Sequence, residues 1–229
     1  LPLAAAAPRP APPVTLLVAA SDRMAVDFLY PAIRAVLQQR PGQVRLVVVG
    51  PPGEAFRAQG LPFSAQGLLP RAEFLAMAQA LPGALAVIPL DDSMFSGCKS
   101  AIKFFDYAQA GVPVLCSRVS PYAEVVDDGR TGALVANTAV AWTAALLAAV
   151  DDPAWRAGVA AAAQADVRRR FSLEQTVDAW QALLTALPTR GARRRAGWRD
   201  AIDAMLEPLA LWLRRFNRDR LARRARRRR

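Results

Sequence analysis

The feature that most constrains the fold is an alternation of short apolar runs with helical patterns between Val14 and Val135. Such runs, when bounded by Gly and Pro, are typical of strands that helices cover on both faces. Six of them occur, at residues 14–20, 44–50, 61–66, 85–90, 112–117 and 132–136. Six is also the number of strands in a complete doubly wound sheet, so the pattern predicts an α/β fold with a parallel sheet.

The segments between and after these runs have helical periodicity. Helices are predicted at residues 31–39, 71–80, 99–110, 122–126, 140–150, 154–170 and 173–187. Ser172 is a suitable N-cap for the last of them, with Gln175 at the second position of a capping box. We expect one Rossmann-like domain at residues 14–188, a Pro- and Ala-rich linker at 1–13, and an Arg-rich hinge with a helical tail at 189–229.

The formal net charge of +11 comes entirely from the end of the chain. Residues 1–188 carry equal numbers of acidic and basic side chains, whereas residues 189–229 carry fifteen arginines against four acidic residues. The predicted domain is therefore neutral, and only the tail is expected to be drawn to anionic surfaces.

The tail combines this charge with apolar residues at three- and four-residue steps from Trp198, which predicts an amphipathic basic helix with a kink site at Pro208. Tryptophan on one face and arginine on the other are typical of a helix that lies in a membrane interface. The composition favours an anionic membrane surface as the partner of residues 197–229. Packing against another domain and contact with nucleic acid remain alternatives, nucleic acid being the least favoured.

The rest of the composition limits which kinds of catalytic or metal site the chain can form. The chain has no histidine and two cysteines, Cys98 and Cys116, so the commonest metal ligand and general base are absent and metal-independent chemistry is expected. No secretion signal and no apolar run long enough to span a bilayer is recognisable, which predicts a cytoplasmic protein, peripheral on the inner face of the membrane if the tail docks there. The Pro-rich start without an initiating Met suggests a piece of a longer chain.

The segment 96–117 contains the most informative polar residues. A loop after an apolar run leads into a helix predicted to start near Ser100, and the N-terminus of a helix attracts anions. Lys99 and Lys103 are expected in its first turn, where a cation is disfavoured unless an anionic ligand compensates. Asp106 follows Lys103 by one turn. A surface Lys–Asp pair is the alternative interpretation of this spacing.

Two stretches, KSAIKFFDYAQAGVPVLCS at 99–117 and SPYAEVVDDGRTGALV at 120–135, resemble the C-terminal, donor-binding half of retaining bacterial glycosyltransferases of the GT-B kind, group 1 or family 4-like. The similarity extends over residues 14–187. It implies binding of a nucleotide-diphosphate sugar, without a further cofactor, for transfer of a hexose-type sugar to a glycan or lipid acceptor in cell-surface polysaccharide synthesis. It also implies that the acceptor domain, with any catalytic histidine, lies outside this chain.

The resemblance assigns roles to individual positions but to no catalytic residue. Asp106 corresponds to the glutamate that binds the nucleotide ribose, and Leu68 and Leu69 are expected beside the base. The residues expected at the donor diphosphate are Ser21, Arg23, Lys99, Ser100, Ala101 and Lys103.

The sequence also departs from the family pattern. Cys98 replaces a glutamate that contacts the donor sugar in many relatives, and Asp27 lies near the position of a first-loop lysine. These departures leave open a second hypothesis, a catalytically degenerate nucleotide-binding or scaffold module. An RNA-binding protein is a third hypothesis, which has only the arginine tail in its support.

Overall fold

The computed structural model describes residues 13–20 and 26–186. The chain divides into two compact units, Leu1–Gln175 and Thr176–Arg229. The predicted tail, most of the predicted linker, and the loop residues Ser21 and Arg23 lie outside the described residues.

The first unit contains a six-stranded parallel sheet with the strand order β3-β2-β1-β4-β5-β6. The strands are β1 (Val14–Ala19), β2 (Val44–Val49), β3 (Ser64–Gln66), β4 (Ala84–Ile88), β5 (Val114–Ser117) and β6 (Ala133–Val135). The helices are α1 (Leu29–Gln39), α2 (Pro52–Ala58), α3 (Arg71–Ala80), α4 (Met94–Gly97), α5 (Ile102–Ala110), α6 (Tyr122–Val125), α7 (Ala139–Asp151) and α8 (Pro153–Arg170). The predicted Rossmann-like α/β fold with six parallel strands is confirmed.

Helix α9 (Leu173–Ala186) crosses the boundary between the two units, so that residues 176–186 are the described part of the second. The backbone N–H of Gln175 donates to the Ser172 hydroxyl at 3.2 Å, which confirms the predicted N-cap. None of the residues of α9 is buried. Among the described helices, none is long and apolar enough to cross a bilayer.

Two short helices, α2 and α4, were not predicted. Pro51, Pro52 and Gly53 are typical of a turn, although proline is well tolerated in the first turn of a helix, and α4 has only four residues. Two predicted elements have different bounds. Strand β3 covers half of its predicted run and its residues are exposed, as is common at a sheet edge. Helix α5 begins at Ile102, two to three residues later than expected.

Both faces of the sheet are buried because neighbouring residues of each strand point to opposite sides. Leu16 and Val18 of β1 join one apolar cluster with α1, α2 and α7, in which Trp142 is fully buried. Leu17 joins the other cluster with α3, α5 and α8, in which Phe104 and Tyr107 are buried. Alternating contacts of this kind explain why the strands appear as continuous apolar runs in the sequence.

The strand order reverses between β1 and β4, whose connections leave the sheet in opposite directions. In open α/β sheets, a crevice forms at this point beyond the carboxyl ends of the strands, and ligands bind there. The ends of the neighbouring strands are tied together at this edge. The backbone N–H of Leu90 donates to the Ser117 hydroxyl at 2.9 Å, and the Asn137 amide donates to the Leu90 carbonyl at 2.8 Å.

Candidate functional site

The carboxyl edge of the sheet brings together several of the residues that the sequence singles out. The α4–α5 segment, which contains Cys98 to Asp106, follows β4, and Leu68 and Leu69 follow β3. Strand β1 ends beside β4, and Ser21 and Arg23, which follow it in sequence, are outside the described part of the chain. The α4–α5 segment therefore follows a strand that borders the reversal of strand order, whereas Leu68 and Leu69 follow β3 at the edge of the sheet.

The segment from Asp91 to Lys99 is held by its own short-range hydrogen bonds. The Ser93 N–H donates to the Asp91 carboxylate at 2.9 Å, and the Ser93 hydroxyl accepts the Ser96 N–H at 3.2 Å, which caps α4. The hydrogen bond from the Ser93 side chain is the main reason why the pKa of Asp91 lies below its usual range. This segment is thus a defined turn that precedes α5.

Lys99 belongs to this turn and not to the first turn of α5, so its predicted position is wrong. Its backbone N–H donates to the Ser96 carbonyl at 3.1 Å, and its ammonium lies 5.0 Å from the centre of the Phe95 ring. Helix α5 starts at Ile102 and not near Ser100, because the backbone of Lys99 is still hydrogen-bonded to the preceding turn. The side chain of Lys99 remains at the carboxyl edge, where its charge can still act on an anion.

Helix α5 is anchored by buried residues around its N-terminus. Ala101 is the N-cap residue, is 4% exposed, and its carbonyl accepts the Phe104 N–H at 2.9 Å. Phe104 and Tyr107 are buried, as expected for packing residues. Lys103 lies in the first turn of α5, as predicted, and is half-buried. A rigid helix N-terminus with this lysine can interact with a negatively charged group.

Asp106 is one turn further along α5, and its side chain is 14% exposed. Its Oδ1 atom accepts from Nε of Arg71 at 2.8 Å and lies 2.7 Å from Nη2 of the same guanidinium. Nη2 also donates to the side-chain oxygen of Gln109 at 2.9 Å. Arg71 is the first residue of α3 and was not identified from the sequence, although a cation in a first turn is the same signal that singled out Lys103.

Leu68 lies beside Gly50, the residue that follows β2. Gly50 has a φ of +85°, and a Cβ atom there would be 2.9 Å from Leu68 Cδ2 and 2.3 Å from the carbonyl oxygen of Ala20. The 62% exposure of Leu68 leaves an apolar surface on the open side of this contact. Only glycine fits the close approach between the ends of β1 and β2, a constraint that the sequence analysis missed.

The described residues contain no group of three or more His, Cys, Asp or Glu side chains placed to hold a metal ion. The two thiols differ in environment. Cys98 is exposed at the end of α4, whereas Cys116 is buried in β5 and its pKa is raised by burial. The thiol of Cys116 is therefore protonated and unreactive at neutral pH.

Comparison with known proteins identifies the family of this chain. The family model for glycosyl transferases group 1 matches residues 12–152, well over half of the chain. No curated protein sequence matches this chain.

Similar solved structures include HepE, WaaG and the C-terminal domain of LpcC. The HepE protein of Anabaena, in complex with UDP and glucose, is 18% identical with a TM-score of 0.59, over 77% of this chain and 49% of its own. WaaG, a glycosyltransferase involved in lipopolysaccharide biosynthesis, is 19% identical with a TM-score of 0.58, over 77% and 48%. The C-terminal domain of LpcC, a glycosyl transferase group 1 family protein of Francisella tularensis, is 15% identical with a TM-score of 0.53, over 72% and 88%.

At these identities the structural similarity concerns the fold, and the chain spans about half the length of HepE and of WaaG. The family match, in contrast, includes every strand of the sheet and the complete α4–α5 segment. The chain belongs to the glycosyl transferases of group 1.

Proposed function

We propose that this chain is the donor-binding half of a glycosyltransferase, which holds a nucleotide-diphosphate sugar at the carboxyl edge of the sheet. The observation that carries the proposal is the position of Lys103 and Asp106, one turn apart on α5, the helix that follows β4 beside the reversal of strand order. A cation at a helix N-terminus suits a diphosphate, and a carboxylate accepts hydrogen bonds from ribose hydroxyls.

The remaining roles are those that the family resemblance implies. The diphosphate is bound by Lys103, by the backbone N–H groups of Ser100 and Ala101, and by Lys99 in the preceding turn. Ser21 and Arg23, which follow β1 in sequence, also bind it. The nucleobase packs beside Leu68 and Leu69. Cys98 borders the donor sugar.

The proposed chemistry follows from the charge that develops during transfer. When the bond between sugar and diphosphate breaks, negative charge accumulates on the leaving diphosphate, and preorganised cations and amides stabilise it most effectively. Lys103 and the N-terminus of α5 provide this stabilisation without a metal ion. The acceptor, a glycan or lipid of cell-surface polysaccharide synthesis, binds to a domain outside this chain, which is consistent with coverage of about half of HepE and WaaG.

Calorimetric titration of the full chain with UDP, GDP and their hexose conjugates tests the proposal. UMP and GMP are matched ligands that lack the β-phosphate, and we expect them to bind more weakly than the diphosphates. The absence of detectable heat with any of these ligands at millimolar concentration would contradict the proposal.

Cys98 supports the second candidate function, a degenerate module that retains the nucleotide site but not the sugar site. Its thiol is exposed, and the family resemblance places it where many relatives have a carboxylate for the donor sugar. Such a module would bind UDP and a UDP-hexose with equal affinity, whereas a functional donor site gains affinity from the sugar. Comparing these two affinities in one titration series separates the two candidates.

We also propose that residues 197–229 attach the protein to anionic lipid as a peripheral membrane protein. The support is their composition alone, because these residues lie outside the described part of the chain. Deleting them should abolish binding to vesicles that contain phosphatidylglycerol and leave UDP affinity unchanged. Binding that survives the deletion would place the membrane contact elsewhere, and loss of folding would assign the tail to the core.

A further inference from the structure

The Arg71 side chain connects the first residue of α3 to the middle of α5, across 35 residues of sequence. Its guanidinium contacts Asp106 through Nε and Nη2 and contacts Gln109 through Nη2. Gln109 lies one turn after Asp106 on the same helix. The two anchors on α5 therefore fix the plane of the guanidinium beside the carboxylate.

The two partners differ in exposure and in the atoms they use. The Arg71 side chain is 58% exposed, whereas that of Asp106 is 14% exposed, so the guanidinium lies on the solvent side of a largely buried carboxylate. Both contacts are made to Oδ1. Arg71 thus sets the rotamer of Asp106 through one oxygen, and Oδ2 is not part of this pair.

Helices α3 and α5 are already held together by apolar packing. The rings of Phe74 and Tyr107 meet edge to face with their centres 5.6 Å apart, and Ala78 of α3 is fully buried in the same cluster. An exposed arginine adds little stability to such a contact, because solvent screens its charge and its side chain must be ordered. The Arg71–Asp106 pair is therefore not needed to join the two helices.

We propose that Arg71 is a positioning residue, which holds the carboxylate of Asp106 in the orientation that binds the ribose of the nucleotide donor. The inference rests on the proposed function and extends it to a residue outside the α4–α5 segment. A carboxylate that accepts two neighbouring hydroxyls must be fixed relative to both, and fixing it in advance removes an ordering cost from binding. Arg71 does this from a neighbouring helix without occupying the whole carboxylate.

The experiment is a double-mutant cycle on the full chain with two probes, UDP and inorganic pyrophosphate. Arg71→Ala should weaken UDP binding by about five- to tenfold, less than removal of the carboxylate itself, which deletes hydrogen bonds to a charged group. Pyrophosphate affinity should not change, because this probe has no ribose. In the Asp106→Ala background, Arg71→Ala should cause no further loss of UDP affinity.

Arg71→Lys provides the conservative variant. Its single ammonium can pair with Asp106 but cannot contact Asp106 and Gln109 together as the planar guanidinium does. Arg71→Lys should therefore recover part of the UDP affinity that Arg71→Ala loses. Arg40→Ala is the matched control, since Arg40 makes a similar bridge to Asp151 at the opposite edge of the sheet. It should leave both affinities unchanged, and thermal unfolding of every variant verifies that each one is folded.

The outcomes separate this inference from the proposed function. If Arg71→Ala weakens UDP and pyrophosphate equally, Arg71 is a direct diphosphate ligand and the inference is wrong. The inference is also wrong if the losses of UDP affinity add in the double mutant, or if Arg71→Ala binds UDP like the wild type. Neither of these results contradicts the proposed nucleotide site. Wild-type protein that binds neither UDP nor GDP overturns both.

Discussion

Two arginine–aspartate bridges join pairs of helices at opposite ends of the sheet. At the amino end, Arg40, which follows α1, donates to both carboxylate oxygens of Asp151 on α7, at 2.8 and 2.5 Å. At the carboxyl end, Arg71 of α3 contacts only Oδ1 of Asp106 on α5. The Asp151 side chain is 46% exposed and that of Asp106 is 14% exposed.

The difference shows that position in the fold, not residue type, makes one bridge a candidate part of a site. In each bridge, one residue lies at a helix end where the helix dipole disfavours its charge. These residues are Arg71 at the start of α3 and Asp151 at the end of α7. Helix electrostatics therefore does not distinguish the two pairs. What distinguishes them is that Asp106 lies near the reversal of strand order, with one oxygen outside its arginine pair.

The largest expected effect concerns the close approach of strands at the carboxyl end. Gly50→Ala should lower the free energy of unfolding by about 2–5 kcal/mol, from left-handed backbone strain and from overpacking against the Ala20 carbonyl. Gly42→Ala, at the amino end, is a matched control, because Gly42 has a φ of +73° and no atom lies within 4 Å of its Cβ position. It should cost only the strain, about 1–2 kcal/mol. Urea denaturation measures both losses, and equal values would contradict the packing argument.

The next largest effect tests the cation at the carboxyl end. Lys103→Ala should weaken binding of UDP by about 1.5–3 kcal/mol, the range for a hydrogen bond to a charged group. The fold should persist, because Lys103 is only half-buried in the first turn of α5. Isothermal titration calorimetry measures the affinity, with Arg40→Ala as the amino-end control. Equal affinity in the wild type and in Lys103→Ala would return this lysine to the surface-pair interpretation.

A smaller effect is expected for Asp106→Asn, which removes the charge but keeps a hydrogen-bonding oxygen. UDP and GDP affinity should fall by about 0.5–1.5 kcal/mol, as for a neutral hydrogen bond. Pyrophosphate affinity should stay the same, because a ribose-binding carboxylate matters only when ribose is present. Competition titrations with the two kinds of ligand measure the difference. Parallel losses would mean that Asp106 acts on the diphosphate through its neighbours.

The smallest effect is expected at the amino-end bridge. The hydrogen bond from Arg40 is the main reason why the pKa of Asp151 lies below its ordinary value. A lowered pKa stabilises the folded protein above the pKa of the unfolded state, about 4, and this contribution is lost as pH falls through the lower folded value.

Arg40→Ala should therefore lower the melting temperature slightly at pH 7 and progressively less below about pH 4. Thermal unfolding of both proteins across this range measures the difference. A difference that grows on acidification would contradict the assignment, and a change in UDP affinity would mean that the two ends are coupled.

The elements predicted from sequence are those whose evidence is local. Strands β1, β2, β4 and β5 stand out because burial on both faces demands continuous apolar runs, and the long helices α7 and α8 lie within one or two residues of their predicted ends. Helix α2 was missed because proline and glycine also indicate turns. The start of α5 was misplaced because the capping turn at Ser93–Lys99 is held by hydrogen bonds that the composition does not reveal.

The sequence by itself determined the α/β class, the number of strands, and the presence of Lys103 and Asp106 on one helix, because a spacing of three residues places side chains on one face. It also determined the family resemblance. Only the tertiary structure decided that Arg71, not Arg40, meets Asp106, and that Gly50 lies against Ala20. These contacts depend on how strands and helices that are distant in sequence pack side by side, and the amino-acid pattern within each element contains no record of that arrangement.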